Sequence, residues 1–122
     1  MPGPSANPLK PNSRRHRGNT RSTGLIELPA EGCTLPVPKL PAGRKWSAEE
    51  RKLWRNLWGS PQATQWDDSF IPAVAGYICH ATTVYEGTAS AWQAQEMRHL
   101  GHQLGLTPSG MLALGWVVVM DE

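Results

Sequence analysis

The 122-residue sequence has little of what builds an enzyme or a membrane protein. No glycine is followed by lysine, so a Walker-type phosphate-binding loop is excluded. There is no Gly-x-Ser-x-Gly nucleophile elbow. Cysteine is confined to Cys33 and Cys79, which make no disulfide framework and read as reduced thiols. Apolar runs fall far short of the roughly 20 residues that a membrane helix needs. The first residues are polar and proline-rich, unlike a secretory signal. Together these absences lead us to expect a cytoplasmic protein with no membrane partner, no cofactor and no catalytic constellation.

The first 45 residues also lack aromatics, while eight of the eleven prolines fall there. Such a stretch cannot bury enough apolar surface to offset its chain entropy. It reads as an arm, 1–45, ahead of a helical domain, 46–122, that holds all six tryptophans. Acid is missing from residues 1–24, where Lys10, Arg14, Arg15, Arg17 and Arg21 give a net charge of +5. Residues 25–45 carry +1 and residues 46–122 carry −4. A basic arm on an acidic body suits either a polyanion-binding tail or a solvated solubility tail.

Along the arm, Leu25, Ile26 and Leu28 can dock on a neighbour, and Pro36, Pro38 and Pro41 suggest an extended polyproline-like strap. Helix boundaries are marked by caps. Ser47 with Glu50 forms a capping box, and Leu53, Trp54, Leu57 and Trp58 follow at helical spacing until Gly59 and Pro61. A second helix opens near Asp67–Ser69, with Phe70, Ile71, Val74, Ile78, Ala81 and Tyr85 as its apolar stripe up to Gly87. Ser90 with Gln93 starts a third, with Trp92, Met97, Leu100 and Leu104 toward the core and Gln95, Arg98, His99 and His102 outward. Gly105 with Leu106 is a glycine stop, and Thr107-Pro108 opens a short fourth helix weakened by Gly110 and Gly115. Trp116 to Val119 reads as a strand or a helix end. The fold class is therefore all-α, three to four helices behind an extended, proline-rich basic arm.

Few groups could do chemistry. Cys79, His80, His99 and His102 lack the spacing of a zinc site. Asp67-Asp68 fits dipole stabilisation at a helix start better than a metal. What remains is charge. Arg44, Lys45, Arg51, Lys52 and Arg55 fall within twelve positions and form either a phosphate-binding strip or a plain solvated face. The second and third helices form either a helix-turn-helix or, more simply, a helical hairpin.

Several runs resemble one family. Arg17-Gly18-Asn19-Thr20-Arg21 is similar to a signature near the start of a group of phage terminase small subunits. A proline-rich stretch follows from Pro29 to Pro41, then Trp54-Arg55-Asn56-Leu57-Trp58-Gly59-Ser60-Pro61 with Trp66 beyond it. Leu104-Gly105-Leu106-Thr107-Pro108-Ser109 is similar to the family's leucine-glycine-leucine-threonine-proline run. The resemblance implies a non-catalytic, ring-shaped homo-oligomer in the host cytoplasm. It would bind double-stranded phage DNA and hand it to the large terminase subunit, which holds the ATPase and nuclease. From the charge pattern we expect the phosphate contacts to come from Lys10, Arg14, Arg15, Arg17 and Arg21 of the arm and from Arg44, Lys45, Arg51, Lys52 and Arg55 at the first helix. The alternatives are a helix-turn-helix transcription regulator and a head–tail connector component. After Pro108 the chain has Met111, Leu112 and Leu114 where family members often carry arginine, which implies an apolar, protein-facing end.

A helical core of about 75 residues has more apolar side chains than it can hide alone. The expected mass in light scattering at micromolar concentration is that of a homo-oligomer larger than a dimer; a monomer mass contradicts this.

Overall fold

The computed structural model describes residues 19–20 and 24–120. Their order is β1 (Asn19–Thr20), β2 (Ile26–Pro29), α1 (Ala48–Trp58), two 3-10 turns (Pro61–Gln65 and Asp68–Phe70), α2 (Ile71–Glu86), α3 (Ala91–Gln103), α4 (Pro108–Leu114) and β3 (Trp116–Val119). The fold is mostly helical, as expected, with a small sheet added.

Local chemistry sets the helix ends. The Ser47 N–H donates to Glu50 Oε1 at 2.8 Å, and the Glu50 N–H donates to Ser47 Oγ at 3.1 Å. Both members of the capping box are thus made, and Ser90 with Gln93 repeats it at α3. Asp67 caps the turn that leads into α2, accepting from the Ser69 N–H at 3.0 Å. The stop after α3 is a Schellman motif, since Leu106 N–H donates to Gly101 O and Gly105 N–H to His102 O.

Tryptophans fill the centre. Glu50, Trp54 and Trp58, one turn apart, are the buried side of α1. Trp54, Trp58, Trp66 and Phe70 touch in sequence, with centroids 5.6, 5.2 and 6.2 Å apart. Val74 and Ile78 of α2 and Leu104 after α3 close the same cluster. Trp66 donates its indole N–H to Leu104 O at 3.1 Å, satisfying a carbonyl at the end of α3 that the helix leaves open.

The helices α2 and α3 run side by side. A Cβ on Gly101 would lie 3.3 Å from the Tyr77 ring, and both positions are ten or more residues from the Gly87 turn. That is a hairpin rather than the wide-angle crossing of a helix-turn-helix.

Two expectations for the core need correction. Helical spacing assigns Tyr85 and Trp92 to the apolar stripes, yet they are 67% and 62% exposed. With 11 residues, α1 is about 16 Å long, whereas α2 with 16 is about 24 Å. The cover ends before the hairpin tip, so residues flanking Gly87 overhang it.

Leu25, Ile26 and Leu28 do not need a neighbour to pack. Strand β2 pairs in parallel with β3, Ile26 opposite Trp116 and Leu28 opposite Val118, and Leu28 is fully buried. On its other side β2 pairs antiparallel with β1. Between β2 and α1 the proline strap lies on the helices. Trp54 donates its indole N–H to Pro38 O at 2.7 Å, and Trp46 donates to Pro41 O at 3.0 Å. Packing among the described residues thus reaches back from Trp46 to Leu25.

The apolar C-terminal run finds its surface largely on its own chain. Trp116 packs against the core, its ring lying directly over Gly105 (φ +75°), where a Cβ would collide with it. Trp116→Ala should lower stability by about 2 kcal/mol, roughly 10 °C in Tm for a domain this size. Gly105→Ala should cost a similar amount, but the double variant should lose less than the sum, because the clash disappears with the ring. Leu112→Ser, at an 81% exposed position, should stay within about 0.5 kcal/mol. Additive effects in thermal melts of the first pair would contradict the packing of Trp116 on Gly105.

Candidate nucleic-acid interface

Lys10, Arg14, Arg15, Arg17 and Arg21 lie outside the described residues. Asn19 and Thr20, which stand between Arg17 and Arg21 in the sequence, form β1 on β2. The sheet therefore holds the chain within two residues of both arginines.

Arg51, Lys52 and Arg55 are exposed on α1, opposite its buried Glu50, Trp54 and Trp58. The capping box and the tryptophan spacing orient them. With 54 and 58 turned inward, 52 falls on the far side of the helix, while 51 and 55 flank the buried line and are exposed. Lys45, just before the helix, is also exposed. Glu49 is the exposed acid beside this basic face.

Arg44 behaves differently from its neighbours. Its Nη2 donates to both Glu50 carboxylate oxygens at 3.0 Å, its Nη1 to Cys79 Sγ at 3.1 Å and its Nε to Lys45 O at 3.2 Å. The guanidinium also lies 4.1 Å from the centroid of the Trp46 ring. Glu50 is buried and Arg44 half-exposed, so the pair joins the end of the strap to α1 and α2. The sequence groups Arg44 with Lys45, Arg51, Lys52 and Arg55 by proximity, with Glu49 and Glu50 as the opposing acids. The Glu50 carboxylate here serves both the capping box and Arg44.

The outward side of α3 is as expected, with Gln95, Arg98, His99 and His102 all exposed. At the hairpin tip, His80 meets Trp92 edge-on at 5.6 Å. Burial pushes the Tyr77 hydroxyl above its ordinary pKa, with Tyr85 adding to the effect.

Other chemistry has little support among the described residues. No group of three or more His, Cys, Asp or Glu is placed to hold a metal ion, and no helix is long and apolar enough to cross a membrane. Asp67 is engaged by the Ser69 N–H and hydroxyl. A cleft of about 230 Å³ is lined by Pro29, Glu31, Gly32, Cys33, Thr34 and Thr64.

Among known proteins, a family model described as phage terminase small subunit matches residues 1–110. No curated protein and no solved structure matches the chain.

The Arg44–Glu50 latch and the exposed cations of α1 should separate in a denaturation experiment. Arg44→Ala should lower stability by about 1 kcal/mol, because a half-exposed ion pair is worth little but Glu50 would lose a charged partner in a buried place. Arg44→Lys should recover only part of this, since one ammonium group can meet the Glu50 carboxylate but cannot at the same time reach Cys79 Sγ and the Lys45 carbonyl as the guanidinium does. Arg55→Ala should change stability by less than about 0.5 kcal/mol. Equal effects of Arg44→Ala and Arg55→Ala in urea would contradict the latch.

Proposed function

The chain belongs to the phage terminase small subunit family, whose role is in genome packaging, and from that premise we propose that it binds phage genomic DNA and recruits or regulates the large terminase. In this reading it is non-catalytic, works in the host cytoplasm and assembles with itself, as a ring. Its partners are double-stranded phage DNA, the large subunit and further copies of this chain.

One observation carries the DNA-binding part. Arg51, Lys52 and Arg55 stand together on the outer face of α1, and none of them forms an ion pair among the described residues. Phosphate contacts of this kind position a protein on DNA without reading sequence. The arm adds Lys10, Arg14, Arg15, Arg17 and Arg21, five cations with no acid among residues 1–24. Lys45 extends the α1 face. Arg44, committed to Glu50, Cys79 and Trp46, contributes mainly by fixing the strap.

Deletion of residues 1–24 should weaken binding to all DNA sequences alike and flatten the dependence of log K on log salt. The slope should fall by up to about 4 to 5, close to one for every phosphate that the arm neutralises. Reversing Arg51, Lys52 and Arg55 to glutamate should weaken binding further, while Arg44→Ala should change DNA affinity little. Unchanged affinity and slope after both the deletion and the reversal would overturn the reading.

A further inference from the structure

The strap between β2 and α1 is gripped along one side by two indoles. Leu35, Pro38 and Pro41, three residues apart, are half-buried, with Leu40 beside them. A repeat of three is that of a polyproline helix. Two indoles grip this inner side, Trp54 at the Pro38 carbonyl and Trp46 at the Pro41 carbonyl. The outer side presents Pro36, Val37 and Lys39, all exposed, with Val37 42% open to solvent. The Val37 and Lys39 carbonyls accept no hydrogen bond among the described residues. The strap is therefore an ordered, proline-rich ridge with an apolar side chain, a cation and spare acceptors.

The opposite kind of surface stands at the α2–α3 tip. Tyr85 and Trp92 are the exposed large aromatics among the described residues, and Glu86, beside Tyr85, is exposed as well. Trp92 is steadied by His80 at 5.6 Å, and its indole N–H has no acceptor among the described residues. Rigid aromatics left in water are the residues that dominate protein contacts. Aromatic surfaces that donate an indole N–H are also what recognises polyproline ridges. The chain already uses this chemistry internally at Trp46 and Trp54.

We propose that the outer side of the strap of one copy docks on the hairpin tip of a second copy. Trp92 and Tyr85 cover Pro36 and Val37, the Trp92 indole donates to a strap carbonyl, and Lys39 faces Glu86. The two surfaces differ, so the contact is head-to-tail and leaves a free tip and a free strap at the ends until the assembly closes. The proposal rests on the reading that the chain assembles with itself, and names the residues that do it.

The test uses the full chain, with mass followed by light scattering across a dilution series. Trp92→Ala, Lys39→Glu and Glu86→Lys should each raise the midpoint concentration of assembly tenfold or more. At a dilution where the wild type and the variants are all dissociated, their thermal melts should match, since these side chains lie outside the core. The double variant Lys39→Glu/Glu86→Lys should return the midpoint to near the wild-type value. Wild-type masses for Trp92→Ala and Lys39→Glu would overturn the docking while leaving self-assembly in place. A wild-type chain that is monomeric at every concentration would remove both readings. A synthetic peptide of residues 34–42 should shift the indole N–H resonance of Trp92 and lower the assembled fraction. A shift with no change in the assembled fraction would make a foreign proline-rich segment the occupant and overturn docking between copies.

Discussion

Three indoles that place their N–H on a backbone carbonyl organise the fold. Trp46, Trp54 and Trp66 each give theirs to a carbonyl in another part of the chain, at Pro41, Pro38 and Leu104. Two of these bonds bring the proline strap onto α1, and the third fixes the end of α3 against the turn before α2. Prolines suit the acceptor role because they have no N–H of their own to satisfy. The strap can therefore lie on the helices without joining a sheet. The rings then supply the apolar contact area that a chain this small would otherwise lack.

Arg44 extends the same arrangement by electrostatics. A buried Glu50 closes the capping box and also receives the guanidinium, so the start of α1 and the end of the strap share one carboxylate. The exposed cations of α1 are left with no such duty. A sequence can show that five basic residues cluster, but only packing decides which of them is occupied.

What is legible in the sequence is local. Ser47 with Glu50, Ser90 with Gln93, Thr107 with Pro108, and Gly105 with Leu106 mark helix ends through contacts a few residues apart, and the structure contains each of them. Long-range features are not legible. A four-residue β2 ending in proline has too little alternation to read as a strand, and its partner lies about ninety residues away. Tyr85 and Trp92 sit at proper helical spacing, but spacing cannot reveal that α1 is too short to cover them. Gly110 reads as a weakness of α4, whereas a Cβ there would collide with the His102 carbonyl. Its bareness lets two helices cross closely, which only tertiary contact can require. The basic arm is a further case: charge is visible in sequence, but charge alone cannot choose between a ligand-binding and a solubilising role.

The parallel pairing of β2 with β3 has a consequence for biosynthesis. A ribosome makes β2 early and β3 last among the described elements, so Leu28 spends most of translation without the strand that shelters it. The helices between them can form from nearby contacts as they emerge. The sheet must instead close a loop of about ninety residues, a step whose entropy makes it slow relative to local pairing. The root of the arm is thus the last part of the molecule to be set. An incomplete chain, stopped before Trp116, would carry all twelve of its lysines and arginines but lack the strand that shelters Leu28.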